Sequence, residues 1–210
     1  MSLVTVAIPM RNGGELLGGV LAAVRAQQLD GDIELLVADS ASSDGSREAA
    51  AAAGARVIDV ASGEYGHGRT RNLLMSEARG AHVALLTQDS QPADESWLAR
   101  LLGGFELADD VGLVYGAYRA RPDASSAVRR ELERWFDSLE PGVVRLGDDE
   151  RDLPAVELMG RRGFLSDANA CIARSAWERV PFRDIAYAED RALALDMMRA
   201  GYAKVYEPAA

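Results

Sequence analysis

The sequence is poor in cysteine and in positive charge, and both features exclude classes of function. Cys171 is the only cysteine among 210 residues, so an intrachain disulfide and a cysteine metal cluster are excluded. The 33 acidic residues exceed the 23 lysines and arginines, and the formal net charge of -10 disfavours non-specific binding to nucleic acid or to an anionic membrane. We therefore expect no nucleic-acid partner, and we interpret Cys171 as a small core residue.

Long hydrophobic runs are absent as well. No stretch of 18 consecutive apolar residues occurs, and the N-terminal residues lack the basic segment and apolar core of a signal peptide. With 48% hydrophobic and 27% charged residues, the composition predicts one globular domain with a sizeable core. Together with the single cysteine, these features predict a cytoplasmic protein.

Short β-rich apolar runs alternate with helical patterns along the chain. This alternation is typical of βαβ units and predicts an α/β fold, with a mostly parallel sheet and helices on both faces. The segment 140–163 has no sustained periodicity and is interpreted as a mobile loop. A last helix is predicted from about Ala188 to Ala200, ended by Gly201. Strands are predicted at 3–8, 35–38, 56–60, 82–86, 112–115 and in the segment KVYEP.

Polar side chains follow three of the predicted strands. Pro9 and Arg11 follow the first strand, Asp39 follows the second, and Asp89 follows the strand at 82–86. Ligands of open α/β sheets bind beyond the carboxyl ends of the strands, so we expect these residues to share a site. An aspartate there could accept the N3–H of a pyrimidine base or bind a divalent cation that bridges a diphosphate. Each aspartate taken alone is better explained as a turn former, and the shared location of these residues weakens that explanation.

The glycine-spaced loop GEYGHGRTRN is a candidate source of positive charge. His67, Arg69 and Arg71 could surround a diphosphate, with arginine making bidentate contacts. The glycine spacing matches neither the Walker loop nor the dinucleotide-binding fingerprint. The alternative is a flexible loop whose arginines are solvated, and the sequence favours neither explanation over the other.

The last predicted helix carries two neighbouring acids. Asp190 shares a helical face with the apolar residues Leu193, Ala194 and Met197, so we expect its carboxylate to point inward. Glu189 lies about 100° round the helix from it. An inward carboxylate in a partly desolvated cleft suits a general base. The alternative is that both acids only favour the positive end of the helix dipole.

Six segments follow one another along the chain: VTVAIPMRN, VADSASSDGS, GHGRTRN, LLTQDSQP, FLSDANACIARSAWERVPF and YAEDRALALDMMRAGY. In this order they resemble the family 2 glycosyltransferases of the GT-A fold. Within that family, GHGRTRN, TQD followed by proline, and SDxN are most similar to bacterial rhamnosyltransferases. The resemblance implies inverting transfer of L-rhamnose from a dTDP-activated donor to a saccharide or lipid-linked acceptor, in cell-surface polysaccharide synthesis.

The resemblance also implies roles for residues on the donor side. Pro9, Arg11 and Asp39 would hold the nucleotide, with Asp39 on the base, and Arg71 would help to hold the diphosphate. Asp89 matches the last carboxylate of the family's DxD motif and would bind the nucleotide sugar through a divalent cation, Mg²⁺ or Mn²⁺. The first carboxylate of that motif is replaced by a threonine at position 87, so we expect a weakly held metal.

On the acceptor side, the resemblance makes Asp190 the catalytic base of the family's ED pair, with Glu189 beside it. Asp167 and Asn169 match the segment that lies near the acceptor. The nucleotide-binding part would comprise about residues 1–119, and the acceptor part would comprise about residues 120–210. Relatives continue beyond YxP, so we expect that a C-terminal segment is missing here.

The sequence is also compatible with other functions. The chain could be a transferase that uses another UDP- or dTDP-sugar, or an inactive nucleotide-sugar-binding domain. A nucleotidyltransferase is disfavoured, because PMRNGGELL does not supply the glycine-rich loop with arginine and lysine that such enzymes carry after the first strand. The sequence leaves open the oligomeric state, as well as peripheral membrane contact at the inner face of a membrane.

Overall fold

Strands and helices alternate along the chain, as predicted. The structure is a computed structural model that describes residues 2–61 and 63–210. Its strands are β1 (Ser2–Met10), β2 (Gly31–Asp39), β3 (Arg56–Asp59), β4 (His82–Leu85), β5 (Val111–Gly116), β6 (Gly142–Val144), β7 (Ala170–Ala173) and β8 (Ala203–Glu207). Its helices are α1 (Gly14–Arg25), α2 (Ser46–Ala52), α3 (His67–Glu77), α4 (Trp97–Gly103), α5 (Ser126–Asp137), α6 (Ala155–Leu158), α7 (Arg174–Arg179) and α8 (Glu189–Arg199), and a 3-10 helix (Gly104–Leu107) extends α4.

The strands of the described residues form one eight-stranded sheet in the order β3-β2-β1-β4-β7-β5-β8-β6. β1 pairs in parallel with β2 and β4, β2 with β3, and β5 with β8. β7 is antiparallel to β4 and β5, and β6 is antiparallel to β8. The predicted, mostly parallel sheet is therefore confirmed. Since β1, β2 and β4 run in the same direction, the segments that follow them meet at one edge.

Helices cover both faces of the sheet, and two apolar clusters fill the space beneath them. Successive residues of β1 point to opposite faces, so Val6 and Ile8 pack under α1, α2 and α4. Ala7, between them, belongs to the opposite cluster, which lies under α3, α5, α7 and α8. No helix of the described residues is long and apolar enough to cross a membrane.

The segment 140–163 is more regular than the sequence predicts. It contains β6 and α6, and it packs on α8 through a small cluster of Leu146, Leu158, Leu195 and Met198. The prediction of an irregular segment was wrong at these elements, because strands and helices of three or four residues are too short to show a period, and the mobility of the segment stays a prediction. α7 was also missed, since its six residues are less than two helical turns.

Candidate active site

A cavity of about 300 Å³ opens beyond the carboxyl ends of β1 and β4. Asp39 is the register partner of Met10, a lining residue, and Asp89 follows the lining residue Gln88. The tertiary structure therefore brings all five predicted donor-side residues to this cavity or to its border. The lining residues are Pro9, Met10, Arg11, Tyr65, His67, Arg71, Thr87 and Gln88.

Asp39 ends β2 and is held in place from two sides. Its Oδ1 accepts a hydrogen bond from Ser42 N at 3.1 Å, and its Oδ2 lies 3.3 Å from Arg47 Nη1. Arg47 also pairs with Asp59 at the end of β3, at 2.5 Å. A carboxylate has about four lone-pair positions. Two of these positions are occupied at Asp39, and only 2% of the residue is exposed.

Hydrogen bonds connect the loop after β1 to the loop after β2, beside Asp39. Asn12 N donates to Ser42 Oγ at 2.9 Å, and Ser43 N donates to Asn12 Oδ1 at 2.8 Å. Gly14 N donates to Asp44 Oδ2 at 3.0 Å. Asn12 adopts a φ of 49°, in the left-handed region that asparagine tolerates better than most residues. These bonds fix the two loops that border the cavity.

Asp89 is exposed at the cavity border, beside two hydroxyl groups. Its Oδ1 accepts from Thr87 Oγ1 at 2.6 Å, and the same Thr87 oxygen lies 2.6 Å from Ser90 Oγ. No group of three His, Cys, Asp or Glu side chains in the described ranges is placed to hold a metal ion. One carboxylate beside hydroxyl oxygens fits a divalent cation that a substrate diphosphate also coordinates, since Mg²⁺ sites are commonly built in this way.

Arg71, predicted to bind a diphosphate, is buried in α3 among acidic groups. Its Nε lies 2.5 Å from Asp167 Oδ2, and its Nη1 lies 2.8 Å from Glu189 Oε1. Its Nη1 also donates to the carbonyl oxygen of His67 at 3.2 Å. Because Arg71 also lines the cavity, it connects the donor side to the acceptor-side acids.

The sequence GHGRTRN places Arg71 there by letting a second segment pack against α3. A β-carbon on Gly68 would collide with the carbonyl oxygen of Arg183, so only glycine allows this approach. Asn72 anchors the same segment, donating to the Phe182 carbonyl oxygen at 2.8 Å and accepting from Phe182 N at 3.0 Å. The alternative of a loop with solvated arginines is wrong for Arg71. It holds for the half-exposed Arg69, which pairs with an exposed aspartate at position 184.

The two acids at the start of α8 differ in environment. Glu189 is buried, with 6% of its surface exposed, whereas Asp190 is only partly buried. Asp190 Oδ1 accepts from Arg191 N at 2.7 Å, and burial raises the pKa of the Asp190 carboxyl above its ordinary value. The inward orientation of Asp190 stays a prediction, and Glu189 is the more deeply buried of the two acids. Glu189 lies deeper because Arg71 provides a partner for its charge.

Asp167 is 2% exposed, and burial raises the pKa of its carboxyl to about 7 despite the nearby Arg71. Asn169 is buried in a different setting. Its Oδ1 accepts from Trp97 Nε1 at 2.7 Å, and its Nδ2 donates to the carbonyl oxygens of Ala117 and Ala210 at 2.7 and 3.0 Å. The geometry gives Asn169 a structural role, and its contact with an acceptor stays a prediction.

Sequence reasoning missed four residues of the site, namely Met10, Gln88, Tyr65 and Arg47. Gln88 lines the cavity and accepts from Arg11 N at 2.8 Å, and its position directly after a buried strand was the available signal. Tyr65 lines the cavity and is 46% exposed, with its hydroxyl 3.2 Å from His67 Nδ1. Arg47 carried no signal, because its pairing with Asp39 depends on how the helix after β2 returns to the sheet.

The fold matches that of a mannosyltransferase from Pyrobaculum calidifontis, which was solved in complex with GDP-Man and Mn²⁺. The TM-score is 0.71 with 21% sequence identity, and the match covers 98% of this chain and 54% of that one. At this identity the likeness shows the fold alone. It confirms the predicted α/β GT-A fold.

Sequence comparison identifies the family. O-antigen chain rhamnosyltransferase RfbN from Salmonella typhimurium is 30% identical over 210 residues, and WbaN from Salmonella anatum is 26% identical over 206. The alignments cover 97% and 96% of this chain, which spans only 63% and 62% of the lengths of these relatives. The family model described as glycosyl transferase family 2 matches residues 5–169. With most of its length matched, the chain belongs to glycosyl transferase family 2.

Proposed function

We propose that this chain is the catalytic domain of an inverting rhamnosyltransferase, which transfers L-rhamnose from a dTDP-activated donor to a saccharide or lipid-linked acceptor. The observation that carries the proposal is the ion pair of Arg71, which lines the cavity, with Glu189, the chain neighbour of the partly buried acid Asp190. The choice of rhamnose rests on the similarity to O-antigen rhamnosyltransferases.

On the donor side, residues at the ends of β1 and β2 act together with Arg71 of α3. Asp39, held by Ser42 and Arg47, accepts the N3–H of thymine. Arg11 and the guanidinium of Arg71 face the diphosphate from the cavity wall, where the fixed positive charge favours an anion. These residues, within about 1–119, form the donor-binding part.

A divalent cation, Mg²⁺ or Mn²⁺, would be held by Asp89 together with the donor diphosphate. Such an ion supplies neutralisation of the charge that develops on the leaving group. Thr87 contributes only a neutral hydroxyl where a second acid would bind more strongly. Asp89 and Thr87 alone would therefore hold the cation only weakly.

On the acceptor side, Asp190 acts as the general base. The acceptor hydroxyl transfers its proton to Asp190 as its oxygen forms a bond to the anomeric carbon. The bond from that carbon to the diphosphate breaks at the same time, and its electron pair leaves with the diphosphate. Attack from the face opposite to the leaving group inverts the anomeric configuration. Burial raises the pKa of Asp190, which makes it a stronger base than an exposed aspartate.

Thermal-shift measurements with dTDP, UDP and GDP, each with and without Mn²⁺, test the donor assignment. A ligand that binds only the native state raises the melting temperature, and at equal concentration a tighter ligand raises it more. We expect dTDP and UDP to stabilise the protein more than GDP, and Mn²⁺ to act only with a diphosphate. A preference for GDP would overturn the role of Asp39.

The reaction itself is tested with dTDP-rhamnose and a panel of saccharide acceptors. NMR of the product should show an anomeric configuration opposite to that of the donor. Retention of configuration would contradict the single displacement. Transfer from UDP-glucose or UDP-N-acetylglucosamine, with none from dTDP-rhamnose, would favour a transferase for another sugar.

A further inference from the structure

One arginine in the described part of the chain lies against two buried acids beside the cavity, and a third acid is next to one of them in the chain. The guanidinium of Arg71, on α3, lies against Asp167, in the segment before β7, and against Glu189, on α8. Asp190 follows Glu189, and the charges of both acids act on Asp167. The neighbouring Arg191 is directed over the ring of Phe164, 5.5 Å from its centroid. The cluster therefore holds more negative than positive charge.

Asp167 is the member of this cluster that lacks hydrogen bonds. Only 2% of its surface is exposed, and neither of its oxygens accepts a hydrogen bond from any group in residues 2–61 or 63–210. Arg71 Nε approaches its Oδ2 to 2.5 Å without hydrogen-bond geometry. An ionised carboxylate that is buried without hydrogen bonds is costly, and the neutral acid avoids much of that cost.

We propose that Asp167 is a positioning residue that remains a neutral carboxylic acid while the donor binds, which leaves the charge of Arg71 directed at the donor diphosphate. This inference rests on the proposed function. Its basis is the burial of Asp167, its lack of hydrogen bonds and the excess of acids around one guanidinium.

Ionisation of Asp167 would add one negative charge directly beside Arg71. Because Arg71 also lines the cavity, that charge would oppose the arrival of a diphosphate anion in a site where solvent screening is weak. Burial raises the pKa of Asp167 to about 7, with Glu189 and Asp190 adding to the effect and Arg71 opposing it. Donor affinity should therefore weaken as the pH rises through neutrality.

The first test measures the protonation state without using activity. The native pKa of Asp167 lies above its ordinary value of 3.8, so the native state binds the proton more tightly than the unfolded state. The stabilisation from protonated Asp167 is complete below pH 3.8 and is lost as the pH rises towards 7. The melting temperature of the wild type minus that of Asp167→Asn should therefore fall over this range and then level off.

Asp110→Asn is the matched control. Asp110 forms a surface pair with Arg145, which lowers its pKa, so the corresponding difference should rise from pH 3 to about 5 and then stay flat. The same rise for Asp167 would show an ordinary ion pair and overturn the proposal. If Asp167→Asn does not fold, Asp167→Ala replaces it, since it too lacks a titrating group and should give the same fall.

The second test measures the dissociation constant of dTDP at pH 6 and pH 8.5. For the wild type we expect a several-fold weakening at the higher pH, and for Asp167→Asn a ratio close to one. Equal ratios for both proteins would overturn the link to donor binding. If dTDP binds at neither pH while the stability test holds, the proposed function fails although Asp167 is neutral. That outcome would overturn the proposal because the donor does not bind, and not because Asp167 is ionised.

Discussion

Arg71 Nη1 lies 2.8 Å from Glu189 Oε1, although 118 residues separate the two in the chain. The pair is buried on both sides, with 8% of each side chain exposed. It joins α3, which borders the donor cavity, to the first turn of α8, which carries Asp190. The position of the proposed base therefore depends on an arginine from the donor side.

Removing Arg71 should impair both folding and donor binding. Arg71→Met leaves Glu189 buried without a partner, and breaking a buried ion pair costs about 3–5 kcal/mol. Urea unfolding should show this loss, and titration with dTDP should show at least tenfold weaker binding. Arg69→Met is the matched control, because its pair with Asp184 is more than half exposed and should contribute less than about 1 kcal/mol. Equal effects of the two substitutions would contradict the bridging role.

Replacing the proposed base should abolish transfer and leave the donor site intact. For Asp190→Asn we expect kcat to fall by about 10²–10⁴-fold, the usual contribution of general base catalysis. Binding of dTDP should change by less than a factor of three. Glu178→Gln removes an exposed acid on α7 and should leave kcat unchanged. A near-normal kcat for Asp190→Asn would show that another residue acts as the general base.

The rate should depend on pH through Asp190. Its pKa is raised by burial, so the residue loses its proton, and becomes active as a base, at a higher pH than an ordinary aspartate. We expect kcat to increase with pH through an apparent pKa above 3.8. An increase centred at or below 3.8 would show that Asp190 is not desolvated in the working enzyme.

Gly68 should be intolerant of any side chain. In Gly68→Ala the new β-carbon meets the Arg183 carbonyl oxygen, which forces α3 away from the segment before α8, and overpacking of this kind costs about 1–3 kcal/mol. Chemical denaturation measures the loss, and transfer activity should fall with it. Gly18→Ala in α1 meets nothing within 4 Å and should stabilise the protein by about 0.5–1 kcal/mol. A destabilising Gly18→Ala would contradict the comparison.

Metal affinity should respond to position 87. Thr87→Asp adds a second carboxylate next to Asp89, so Mn²⁺ should bind at least tenfold more tightly in the presence of dTDP. Asp89→Asn should abolish the effect of Mn²⁺ on dTDP binding. Thermal shift against Mn²⁺ concentration measures both changes. No gain in affinity for Thr87→Asp would show that position 87 does not face the cation.

The donor-side residues that follow β1, β2 and β4 could be predicted from the sequence, because the local residue pattern identifies these strands. A parallel strand ends at a fixed edge of the sheet, so the residues after β1, β2 and β4 share a location once the strands are recognised. The apolar alternation and the glycine and proline positions were sufficient for that recognition. The antiparallel placement of β7 was not predictable, because a four-residue buried strand carries no signal of its direction.

The acceptor side was decided by tertiary structure. Helical spacing predicts that Asp190 points inward, but burial of a charge requires a partner, and of the two acids on α8 it is Glu189 that pairs with the guanidinium of Arg71. Asn169 has the residue type of a ligand-binding group, yet Trp97 and two carbonyl oxygens engage its amide. The sequence by itself determined which residues reach the sheet edge. The tertiary structure decided which of them are paired and which are accessible, since ion pairs and hydrogen bonds between distant residues exist only in the folded chain.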